Sequence, residues 1–152
     1  MAHARTQILT KIKTVLLAAG TSASERIYEA RVHPVAPSAL PALILGHGPE
    51  DVDPDEISDL DSQQVRVFSV VIDALDEDTT NVVTQLNTLC AEVEVAIAAD
   101  NTLAGYCDHI IIANTEPDLT GEQEKPRGRM RMTFTCQYSV AADDPETILT
   151  LP

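Results

Sequence analysis

Apolar residues recur at Ile8, Ile12, Val15, Leu16 and Ala19, with Arg5, Gln7, Lys11 and Lys13 around the rest of the wheel and Gly20 behind them. This spacing predicts an amphipathic helix over residues 4–19 that stops at the glycine. Residues 26–33 alternate less cleanly and run into Pro34, which suits a short strand or extended lead-in at a sheet edge. Pro37 and Pro41 keep the next segment extended, and Ala42 to Leu45 is an apolar run too short for a helix. From Gln64 to Leu75, Val65, Val67, Phe68, Val70, Val71 and Ile72 are apolar on both alternating faces. That pattern predicts a central strand covered on both sides, by helices, a second sheet or another subunit.

The stretch from Asp76 to Thr80 offers capping oxygens and negative charge, and Val82, Leu86, Leu89, Val93 and Ile97 follow at helical spacing as far as Asp100. A turn over residues 101–105 then leads to a strand over 106–113 around Ile110, Ile111 and Ile112. Residues 116–124 form a polar, hairpin-like connection. The final strand, 127–140, alternates strictly, with Met130, Met132, Phe134, Cys136, Tyr138 and Val140 on one side and Arg127, Arg129, Arg131, Thr133, Thr135 and Gln137 on the other. The expected architecture is α+β: a mostly antiparallel sheet of four to five strands with both main helices packed on one face. One domain is expected over 1–142, with a short C-terminal tail over 143–152.

Composition agrees with a single core, since the 152 residues are 44% hydrophobic and 22% charged. A chain of this length buries roughly 70% of its unfolded surface and needs no metal or disulfide to fold. The cysteines, Cys90, Cys107 and Cys136, are odd in number and lack C-x-x-C spacing, which fits reduced thiols in a cytosolic setting. Near the N-terminus the longest apolar run is Val15 to Ala19, too short for a signal sequence or a membrane span.

Charge adds an asymmetry. The net charge is −14, which disfavours nucleic-acid readers and anionic membranes. Residues 1–31 carry +3, 32–124 carry −18, 125–131 carry +4 and 132–152 carry −3. Opposite charges on separate segments suit copies meeting head to tail, and equally suit a solvated surface.

Residue patterns that could carry chemistry are few. Asp51, Asp53, Asp55 and Asp59 stand at positions 1, 3, 5 and 9 of a calcium-loop pattern, but Glu56 replaces its glycine and Ser62 its closing glutamate. The reading preferred for the seven carboxylates Glu50, Asp51, Asp53, Asp55, Glu56, Asp59 and Asp61 is an exposed acidic loop available to a partner. Cys107 and His109 are two apart on an expected strand and share a face, but no orienting carboxylate accompanies them, so a buried thiol is preferred to a nucleophile. His33 and His47 lack a visible pocket, and Gly46-His-Gly48 lacks the Lys and Ser or Thr of a phosphate loop. No catalytic, metal or cofactor site is assigned, and an enzyme is not expected. The best-defined polar feature is Lys125, Arg127, Arg129 and Arg131, whose arginines recur about 7 Å apart on one strand face and suit carboxylates of a neighbouring subunit or phosphates.

Arg31-Val-His-Pro-Val, then Leu40-Pro-Ala-Leu-Ile-Leu45, the acidic loop, the strand from Val65 to Ala74, the helix from Thr79 to Ala99 and the closing Arg129-Met-Arg-Met-Thr-Phe-Thr-Cys-Gln-Tyr138 form a distinctive succession. Over nearly the whole chain it resembles the tail terminator proteins of long-tailed bacteriophages, the minor tail protein U-like or tail completion family. The resemblance implies a virion protein that assembles in the host cytoplasm into a homohexameric ring at the head-proximal end of the tail. Such a ring ends tube polymerisation and presents a head-joining surface. Its implied partners are further copies of the chain, the major tail tube protein, a head-tail connector or stopper protein, and genomic DNA passing without sequence recognition. On this view Lys125, Arg127, Arg129 and Arg131 face the next subunit or the channel, and the acidic loop meets tube or connector. A neck or connector subunit is the nearest alternative; a calcium-binding module and a thiol hydrolase are those of another class.

Overall fold

In the computed structural model, which describes residues 2–29, 37–53, 63–77, 81–120 and 127–149, the first helix α1 spans Ala4–Ala19. It buries Ala4, Ile8, Leu9, Ile12 and Leu16 and ends at Gly20, whose φ of +68° is the left-handed conformation in which glycine carries no Cβ penalty. The strands are β1 (Ile27–Glu29), β2 (Ala42–Asp53), β3 (Gln63–Glu77), β4 (His109–Thr120), β5 (Arg127–Ala141) and β6 (Asp144–Leu149), with the second helix α2 (Val82–Ala98) between β3 and β4. The expected α+β class is observed, with six strands in the order β1-β2-β3-β5-β4 and β6 pairing with β5 beyond β4. Among the described strands only β1 and β2 run parallel.

Both helices pack on one face of this sheet. From it rise Phe68, Val70, Ile72 and Ala74 of β3 and Met130, Met132, Phe134, Cys136, Tyr138 and Val140 of β5, joining Leu86, Leu89, Val93 and Ile97 of α2 in one core. The strict alternation read from residues 127–140 is thus the inside-outside division of β5. On the opposite face, Val67, Val71 and Leu75 of β3 and Ile44 of β2 are half-buried, and no described helix covers them. Among the described residues, the cover expected on both sides of β3 is present on one.

Besides β4, which runs His109–Thr120 where a strand over 106–113 and a connection from 116 were expected, three boundaries differ from the sequence reading. The cap of α2 is Asn81, whose side chain accepts from the Thr84 amide at 3.4 Å, rather than an oxygen from the stretch Asp76 to Thr80. The expected tail includes β6, whose Ser139–Leu149 and Val140–Ile148 pairings let Ile148 pack against the core. Its turn is closed by Asp144, which accepts from the Glu146 amide at 3.0 Å and the Thr147 hydroxyl at 2.6 Å. Third, the acidic segment does not begin as a loop: Glu50, Asp51 and Asp53 belong to β2, while Asp55, Glu56, Asp59 and Asp61 lie outside the described residues.

The α2–β4 connection is fixed by a side chain. Asp100 accepts from the Thr102 hydroxyl at 2.7 Å and from the Thr102 and Ala104 amides at 3.1 and 2.8 Å. These bonds hold its carboxyl below the usual carboxylate range, the Thr102 hydroxyl contributing most. They also support the left-handed backbone of Leu103 and Ala104, a conformation that non-glycine residues avoid, while Leu103 is fully buried.

Candidate functional site

The arginine row lies on the uncovered face of the sheet, where cross-strand register supplies it with carboxylates. Arg131 sits opposite Asp73 of β3 and Glu116 of β4, and it grips Asp73 with two hydrogen bonds of 2.8 and 3.0 Å. The Asp73 bonds raise the guanidinium pKa above its ordinary value. Arg129 sits opposite Asp118 and bonds it at 3.0 Å. Arg127 pairs in register with Glu77 and Thr120, its side chain lying outside the described set, as does Lys125 altogether. The basic row is therefore interleaved with acidic residues of its own chain. Sequence reading missed Asp73, Glu116 and Asp118 because a cross-strand partner is set by register, not by proximity along the chain.

The pairing of Arg131 with Asp73 is half open to solvent, the arginine side chain being 42% exposed against 13% for the aspartate. A double-mutant cycle of Arg131→Gln and Asp73→Asn, read by chemical denaturation, should return a coupling of about 1 kcal/mol or less. A coupling near zero would mean that the two side chains separate in solution.

A second cluster joins α1 to the sheet. A β-bulge between His47 and Glu50 inserts one residue into β2 and sets Glu50 opposite Phe68 on the helix side. There its carboxylate, 8% exposed, accepts from Arg5 of α1 at 2.7 Å, from Arg66 of β3 at 3.4 Å and from the Tyr138 hydroxyl of β5. Burial and the Glu50 bond push the Tyr138 hydroxyl well above its ordinary value, so it stays protonated and donating. Tyr138 also meets Phe68 edge to face, with ring centroids 5.5 Å apart. Glu50 thus leaves the group of residues expected to face a partner, because its acceptor positions are taken inside the chain.

His3 caps α1, its Nδ1 accepting from the Arg5 amide at 3.2 Å, and its Nε2 lies 3.4 Å from Arg66. Burial, then the Arg5 and Arg66 guanidinium groups, hold the imidazole below its ordinary value, with Glu50 pulling the other way. The unfolded chain therefore binds this proton more readily than the folded one. Stability should fall as pH drops below about 6.5, and the loss should level off once pH passes below the folded value. His3→Asn keeps a capping oxygen, so melting curves taken between about pH 7 and 5 should lose this component in the variant. An unchanged pH dependence in His3→Asn would assign the effect to other groups.

The other sequence candidates are dispersed. Cys107 lies in the turn before β4, not on a strand with His109, and its thiol is buried 3.7 Å from the Asn101 carbonyl. Cys90 and Cys136 are also buried; burial pushes the Cys90 thiol up to about 11, and the contact with Cys107 pushes Cys136 higher still. The Cys90 and Cys136 thiols are therefore protonated at neutral pH and make poor nucleophiles. Of the calcium-pattern residues, Asp51 and Asp53 are in β2, an extended strand instead of a coordinating loop. Among the described residues no helix is long and apolar enough to cross a membrane.

No protein-family model matches the chain, and no curated protein matches it. Among solved structures it is similar to a chain described as "Virion of native gene transfer agent (GTA) particle". Identity to that chain is 17%, the match covers 89% of this chain and 92% of that one, and the TM-score is 0.48.

Proposed function

We propose that this chain is a structural subunit of a phage-like virion that closes into a ring on the head-proximal end of the tail tube, stops tube growth and offers a surface for head joining. The observation that carries the reading is the uncovered face of the sheet. There Ile44, Val67, Val71 and Leu75 form an apolar band beside the Arg129 to Gln137 face of β5, and a β-branched strand of this kind is stable when both faces are covered. A neighbouring subunit supplies that cover in a closed assembly, and ring closure strengthens contacts that are individually weak. The order of elements also follows the succession on which the family resemblance rests, from the Ala42 strand through α2 to the closing β5.

Native mass spectrometry over a range of concentrations, with negative-stain imaging of the same samples and of samples mixed with purified tail tubes, tests the proposal. A closed six-membered ring, free or on the tube end, is the expected result. A chain that stays monomeric and leaves tube ends uncapped overturns it, and capture by purified portal assemblies instead of tubes favours the connector role. Val71→Lys, on the uncovered face, should keep a cooperative melt while abolishing the ring. The acidic segment is tested by deleting residues 54–60, which spares the Glu50 to Asp53 pairing with β3. Loss of tube or connector binding with the ring intact is expected.

A further inference from the structure

Strand β4 forms one lateral edge of the sheet, and residues 111–118 are exposed along it. Ile111 and Ile112 are 53% and 40% exposed, unusual for isoleucine on a strand. The Ile110 amide turns away from β5 to donate to the Asn101 carbonyl at 2.9 Å. By the alternation of an antiparallel ladder, the amide and carbonyl of Ile112 also face outward, where no described strand meets them. Further on, a bulge between Ile112 and Asn114 shifts the register and Pro117 has no N–H to offer, which confines an open pairing site to the stretch from Ile111 to Thr115.

Beside this edge is an open groove of about 310 Å³ between β4 and α2, with Ile97 and Ala98 on one wall, Ile112 on the other and Phe134 at its base. A strand added to β4 would place alternate side chains in the groove and the others beside Ile111. Charge decides what that strand is. Glu94 lines the groove and Glu116 stands further along β4, and neither forms an ion pair among the described residues. Arg129 and Arg131, the nearest cations on β5, are already bound to Asp118 and Asp73.

A second copy of this chain is a poor occupant. Antiparallel pairing of two β4 strands about Ile112 sets Glu116 against Asp108 of the other copy, and the other long edge without a partner among the described residues, Gly46 to Asp53 of β2, carries Asp51 and Asp53. Like charges directly opposite destabilise a strand pair. We propose that the Ile111 to Thr115 edge of β4 and the adjoining groove take an extended segment of another protein, apolar at alternate positions with Lys or Arg between them. This goes beyond the ring proposal and does not depend on it.

The probe is a capped nonapeptide alternating lysine and valine, titrated into the full chain and followed by amide NMR shifts. Binding should perturb the Ile111 to Thr115 amides and slow hydrogen exchange at Ile112. The same peptide N-methylated at alternate amides keeps its charge and side chains but cannot pair as a strand, and it should bind at least about tenfold more weakly. Ile112→Glu should weaken binding by a similar factor, although it adds negative charge. Equal binding of the methylated peptide, tighter binding to Ile112→Glu, or no binding at about 1 mM peptide would each overturn the proposal. The first two outcomes would reduce the contact to ionic attraction.

Discussion

Glu50→Ala should destabilise the folded chain by about 3–5 kcal/mol, the range for removing one partner from a buried ion pair. The carboxylate is 8% exposed, and its loss would leave the Arg5 and Arg66 guanidinium groups facing each other and the Tyr138 hydroxyl without its acceptor. The cost thus comes less from the lost attraction than from the groups left behind. For a domain of this size, thermal melts should shift by roughly 10 °C. Glu50→Gln keeps one acceptor and should lose distinctly less, while Asp51→Ala, at an exposed neighbouring position, should fall within about 0.5 kcal/mol of the parent. If Glu50→Ala melts with the parent, the cluster does not join α1 to the bulged end of β2.

Phe134→Ala is expected to cost about 3–5 kcal/mol by a different mechanism, the cavity left when a large buried ring is cut to a methyl group. Phe134 is 2% exposed on β5, in register with Val70 of β3 and Ile112 of β4, and it faces the two-helix layer. Strands held by ladders on both sides collapse poorly into such a space, which places the expected cost in the upper part of the large-to-small range. Because the ring also forms the base of the groove beside β4, the cavity should open into it. Denaturant titration should therefore show a lower midpoint at an unchanged slope. A loss below about 1 kcal/mol would mean that the core repacks around the alanine.

Much of the framework was legible in the order of residues. The turn of α1 at Gly20, the buried stripe of α2 and the alternation of β5 follow from periods of 3.6 and 2, which are properties of the local chain. Other features depend on what happens between segments. The length of β2 was hidden because its second half, Glu50 to Asp53, is polar and looks like loop; it is a strand because β3 offers it a ladder as far as Val65. β6 was hidden for the same reason, being short and held mainly by backbone pairing with β5.

The candidate surfaces divide along the same line. That Arg127, Arg129 and Arg131 share one strand face is a statement about alternation, and the sequence alone determined it. Whether that face is a free basic patch was decided by register, which sets Asp73 and Asp118 against Arg131 and Arg129. The sequence likewise placed Glu50 in an acidic run but could not show that one inserted residue in β2 turns its carboxylate inward, onto Arg5, Arg66 and Tyr138. Period and composition act between neighbours in the chain and can be read along it. Bulges, register and edges bring together residues as far apart as Glu50 and Tyr138, and only the assembled sheet specifies them.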